Sequence, residues 1–137
     1  MELTQFKTVE QLAAAIKSLD MVTSVAWTDY FASSTITGWT SYTISELFYK
    51  KIGRLMFVVY RIHGTSDDTV ATFTLPHASE TNAFISFSRV EDNGGGLVAG
   101  LASIANSSTV NIYSDLAASA WTNSGTKRVQ GQFWYET

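Results

Sequence analysis

The chain has 137 residues, a formal charge of −3 and no cysteine. That length predicts one domain able to bury a core, and the lack of thiols excludes disulfide and thiolate chemistry. The weakly acidic balance, with only 15% charged residues, gives no electrostatic basis for binding nucleic acid or an anionic membrane.

Nothing in the first residues, Met1-Glu2-Leu3-Thr4-Gln5, has the basic start and apolar centre of a signal peptide, and no apolar run reaches the length of a membrane span. Hydrophobic residues make up 45% and proline occurs once, at Pro76. Abundant Thr, Val and aromatics favour pleated sheet, and the Gly, Asn and Ser clusters supply turns.

Two parts are expected: residues 1–37, a short helix and an extended arm, and residues 38–137, a β-sandwich. Thr8 is a candidate N-cap with Gln11 three residues on, and Val9, Leu12, Ala13, Ile16 and Leu19 follow at helical spacing. So short a helix must pack on something. From Met21 to Thr37 the apolar Val22, Val25, Trp27, Tyr30 and Phe31 lie among small polar residues, which predicts an extended arm or irregular strand.

Strands fill the rest. A reversal at Lys50-Lys51-Ile52-Gly53 joins two of them, and Leu55–Ile62 is apolar enough for a central strand covered on both faces. Val70–Leu75 alternates, with Ala71, Phe73 and Leu75 inward. Ala83–Val90, Leu97–Ala105 and Thr109–Tyr113 follow, with the loop Asp92-Asn93-Gly94-Gly95-Gly96 between the first two. After the turn Asn123-Ser124-Gly125, Val129, Gly131, Phe133 and Tyr135 share one face; Arg128, Gln130, Gln132 and Trp134 share the other. This predicts a last strand that completes the core. Regular turn signals predict a mainly β, antiparallel, two-layer sandwich of jelly-roll-like form.

Catalytic and metal-binding patterns are missing. Gly94-Gly95-Gly96 lacks the Lys and Ser/Thr of a phosphate loop. No histidine, cysteine or carboxylate cluster surrounds His63 or His77, so no metal is expected. Asp67-Asp68 and Glu91-Asp92-Asn93 read as turn residues rather than an acid–base pair or a calcium loop. No Gly-x-Ser-x-Gly elbow is present. No catalytic residue and no cofactor are predicted, and the expectation is a non-enzymatic protein. The remaining candidates for ligand or partner contact are Trp39, Trp121 and Trp134.

The stretch "FYKKIGRLMFVVYRIHGTSDDTVATFTLP" resembles the C-terminal sandwich module of bacteriophage tail fibres and related virion surface proteins. Tyr49, Lys51 and Gly53 fit its Tyr-x-Lys-x-Gly hairpin; Gly64, Thr65 and Ser66 its turn; and Phe73, Thr74, Leu75 and Pro76 its Phe-Thr-Leu-Pro strand end. The ending "WTNSGTKRVQGQFWYET" is similar to the closing strand of such modules through Gly131, Phe133, Tyr135 and Glu136. The resemblance covers residues 42–137. It implies a non-catalytic virion module, commonly a homotrimer, displayed on the particle surface after synthesis in the host bacterial cytoplasm.

For a chain this short, the expected role is a capsid decoration (cement) or small appendage protein. Its partners would be its own copies and other capsid or tail proteins, with no nucleic acid or membrane. Phe6, Leu12, Ile16, Trp27, Tyr30 and Phe31 would bury apolar area at the docking or trimer contact. The alternative is a tail-fibre or receptor-binding tip that recognises host surface glycan.

Overall fold

The computed structural model describes residues 8–15, 25–80 and 85–137. Phe6, Ile16, Leu19 and Val22, along with the first residues of the strand expected from Ala83, lie outside them. Residues 9–15 are helical, and Thr8 caps them as expected: the Gln11 amide donates to Thr8 Oγ1 at 3.2 Å.

The protein is mainly β and antiparallel. Its strands are β1 (Thr28–Asp29), β2 (Ile36–Thr37), β3 (Trp39–Ile52), β4 (Leu55–Ser66), β5 (Thr72–Thr74), β6 (Ile85–Asp92), β7 (Val98–Asn106), β8 (Thr109–Ile112) and β9 (Thr126–Glu136). They form one sheet in the order β1-β3-β4-β9-β6-β7-β8-β5-β2.

That order forces curvature. Laid flat, nine strands would set β1 and β2 about 38 Å apart at about 4.8 Å per strand. The link from Asp29 to Ile36 reaches at most about 25 Å. The sheet therefore curls until its two ends meet, and residues 30–35 close the seam. Tyr30 donates its amide to Leu47 of β3 at 2.9 Å, while Ser34 Oγ bonds Thr74 of β5.

Ring contacts cross the interior between strands far apart in the sheet. Phe73 of β5 lies 5.3 Å from Tyr60 of β4 and 6.3 Å from Phe133 of β9. Around them are the buried side chains of Met56, Val58, Ile62, Val90, Val110 and Val129.

β4 is central, between β3 and β9, and its inward positions Met56, Val58, Tyr60 and Ile62 are fully buried. Ala71, Phe73 and Leu75 face the core as predicted. The reversal before β4 falls at Gly53-Arg54, where Gly53 adopts φ +60°. β9 lies between β4 and β6, in the middle of the sheet.

The phenols of this core set an alkaline limit. Burial pushes Tyr60, which donates to Ser88 Oγ, up to about 12, and Tyr135, which donates to the His77 carbonyl, also up to about 12. Unfolded tyrosines lose their protons near pH 10. Above that pH the unfolded chain holds fewer protons than the folded one, so stability falls as pH rises from 10 to 12. Urea midpoints measured across that range should drop, with tyrosinate absorbance appearing together with unfolding.

Candidate functional site

Two of the three predicted contact tryptophans are structural. Trp39 and Trp121 are 6% and 3% exposed, and both pack against Lys127, which has no exposed surface. The Lys127 ammonium sits 5.3 Å from the centre of each indole and donates to the carbonyls of Asp68 and Val70, both at 2.7 Å. Trp39 Nε1 in turn donates to the Lys127 carbonyl, and Trp121 Nε1 to that of Ile112. Burial pulls the ammonium down to about 8, against the opposing pull of Asp67, Asp68 and Asp92. This buried cation ties the start of β3, the β4–β5 connection and β9 together. Both indoles are committed to it, so neither is a ligand contact.

Trp134 is the exception, 52% exposed on the outward face of β9. Strand register arranges that face in rows. The first row is Lys50, Phe57 and Trp134; the next is Phe48, Val59 and Gln132. Then come Glu46, Arg61, Gln130, Arg89 and Ala99, and finally His63, Arg128 and Glu91. The face is thus apolar at one end and charged at the other.

Trp27 joins the apolar end. It is 48% exposed, has the Lys50 ammonium 5.6 Å from its ring, and lines one hollow of about 470 Å³ with Phe57, Val59, Gln132 and Trp134. A residue expected in the docking arm and one expected as a ligand contact therefore share a surface. The other arm residues differ. Leu12 is half-buried beside the N-terminal cap. Tyr30 is 6% exposed and packs edge-on to Tyr49, and Phe31 packs on the core and edge-on to Tyr42. Tyr30 and Phe31 contribute to this chain's own interior because residues 28–37 pair into both ends of the sheet. That revises the boundary at residue 37.

At the charged end, an open groove of about 840 Å³ runs over Glu46, Arg61, Phe87, Arg89, Gln130 and Gln132. Arg61 is held by a two-point bond to Glu46, at 2.9 and 2.6 Å. The Arg89 side chain has no ion pair or hydrogen-bond partner among the described residues, and the side-chain amides of Gln130 and Gln132 have none either. Phe87 is 73% exposed beside them. The sequence shows this cluster through one alternation: Phe87 and Arg89 lie two apart on β6, as do Gln130 and Gln132 on β9. Only the neighbouring placement of β6 and β9 is non-local.

The acidic turns are occupied structurally. The Asp68 carboxylate accepts from the Thr69 amide, Asp92 accepts from Thr122 through both oxygens, and Glu91 pairs with Arg128 at 3.0 Å. His63, partly buried beside Arg128 and Arg61, is shifted below its ordinary value, chiefly by burial. Among the described residues no group of three or more His, Cys, Asp or Glu side chains is placed to hold a metal ion. No described helix is long and apolar enough to cross a membrane.

Fold and site together define a mainly β protein, a curled antiparallel sheet with an open, part-aromatic groove on its outer face. No known family matches the chain, and neither does any curated protein.

Proposed function

We propose that the chain is a non-enzymatic bacteriophage virion protein displayed on the particle surface: a homotrimeric capsid decoration or small appendage protein. In this reading the curled sheet works as a two-layer, jelly-roll-like sandwich, with β1-β3-β4-β9 facing the remaining strands. Contact with the particle or between subunits is made by the N-terminal residues and the apolar end of the outer face. The observation that carries the proposal is the hollow shared by Trp27 and Trp134, both about half exposed. Large, rigid, half-exposed aromatics are the side chains that dominate protein–protein contacts. The resemblance of residues 42–137 to virion surface modules supplies the particle and the trimer.

Sedimentation of the full chain is expected to give a trimer, and immunolabelling of gradient-purified particles is expected to find it on their surface. Changing Trp27 and Trp134 together to alanine should reduce particle occupancy at least tenfold while leaving the fold intact. Unchanged occupancy of the double variant would count against this contact surface.

A second reading, a receptor-binding tip for host surface glycan, is supported by the groove: unpartnered Arg89, Gln130 and Gln132 beside exposed Phe87.

A further inference from the structure

We infer that the charged end of the outer groove binds a carboxylate-bearing saccharide, with Arg89 as the residue that takes the carboxylate. The inference rests on the glycan reading and narrows it to acidic sugars.

In the row Glu46, Arg61, Gln130, Arg89 and Ala99, Glu46 neutralises Arg61 and leaves Arg89 as the uncompensated charge. Ala99, opposite Arg89 on β7, is too short to cover the guanidinium. A local positive site on a chain of net charge −3 is complementary to an anion. Guanidinium geometry matches a carboxylate at two points.

The surroundings select the kind of anion. Gln130 and Gln132 present side-chain amides at two-residue spacing along β9, about 7 Å apart. Each amide both donates and accepts, as a sugar hydroxyl pair requires. Phe87, 73% exposed, offers a flat apolar face for a ring. An extended acidic peptide is matched less well. β9 pairs with β4 along its length and with β6 from Lys127 to Gly131, beyond which Ser86 Oγ takes the Gln132 carbonyl, so β9 is an interior strand to which a peptide could not add. The groove is open rather than enclosed, which suits one stretch of a polysaccharide chain more than a small metabolite.

The test is titration of the full chain with oligogalacturonate, dextran and poly-glutamate, followed by fluorescence and calorimetry. Oligogalacturonate is expected to bind at least tenfold more tightly than dextran, more weakly as salt is raised. Arg89→Gln should abolish that preference and Arg89→Lys should keep part of it. Gln130→Ala should weaken binding severalfold. Arg89 is exposed and Gln130 half-buried, and melting curves matching the parent confirm that the variants fold. Binding of dextran and oligogalacturonate alike, unaffected by Arg89→Gln, overturns the acidic assignment and leaves the glycan reading standing. Poly-glutamate binding equal to oligogalacturonate overturns it too, because the sugar ring then contributes nothing. No binding of either saccharide overturns both.

Discussion

Replacing Lys127 by alanine is expected to lower the stability of the fold by about 3–5 kcal/mol. The loss has three sources. The aliphatic stem fills space between Trp39 and Trp121, and its removal opens a cavity. The Val70 carbonyl loses its donor, and the Asp68 carbonyl is left with the longer Ser66 Oγ bond at 3.2 Å. Both indole faces lose the cation that lies over them. Urea denaturation should show the loss, with a fall in melting temperature of roughly 10 °C or more. Lys127→Met separates the sources: it keeps the stem volume and removes the donor and the charge. It should therefore lie between parent and alanine variant, with the unsatisfied Val70 carbonyl and the weakened bonding of the Asp68 carbonyl as its main defect.

Lys127 also has a pH signature that a packing role alone would not produce. Its folded value is about 8, below the ordinary 10.5. Between these values the unfolded chain binds more protons, so the parent's stability gains from this group as pH rises from 8 to 10.5. The opposite slope of the buried tyrosines begins near pH 10. In Lys127→Met the gain between pH 8 and 10 should vanish while the fall above 10 remains. A methionine variant as stable as the parent, with the same pH profile, would show that the cation is not a structural element.

Much of the fold could be read locally. The apolar run Leu55–Ile62 marked the central strand, but not the cover on both faces that such a run implies: Met56, Val58, Tyr60 and Ile62 are buried, while Phe57 and Val59 line the open outer face. The alternation of β9 separated Val129, Phe133 and Tyr135 from Gln130, Gln132 and Trp134, and both sets lie where it put them. Long-range partnership was not legible. Lys127 has the inward parity of Val129, yet a lysine two residues after a turn glycine reads as a solvated strand end. Its burial depends on an indole 88 residues earlier in the chain and another from the preceding loop. Trp39 and Trp121 read as exposed for the same reason. Residues 28–37 read as an arm because their pairing is split between β3 and β5, with two residues at each. So short a pattern carries no periodicity. The groove needed β9 to be placed between β4 and β6, which turn signals do not specify.

The insertion of β9 closes Gly131 in between two strands and over the Tyr60 ring, and the second large effect is expected there. Gly131 pairs with Tyr60 on one side and with Ser88 on the other. A side chain at this position would occupy the place of the Tyr60 hydroxyl. The requirement is for space, not for an unusual backbone, since its φ is not among the positive ones. Gly131→Val should therefore cost about 3 kcal/mol or more, because overpacking at a site closed by two strands cannot relax outward. Tyr60 would have to tilt, break its 2.9 Å bond to Ser88 and disturb its contacts with Phe73 and Phe133. Gly131→Ala asks less, about 1–3 kcal/mol, and allows a cycle. Tyr60→Phe removes the hydroxyl that meets the new methyl, so the double variant should be less unstable than the sum of the singles by about 1 kcal/mol or more. Chemical denaturation of the four proteins measures that coupling. Strict additivity would mean that Gly131 is needed for something other than the Tyr60 ring beneath it.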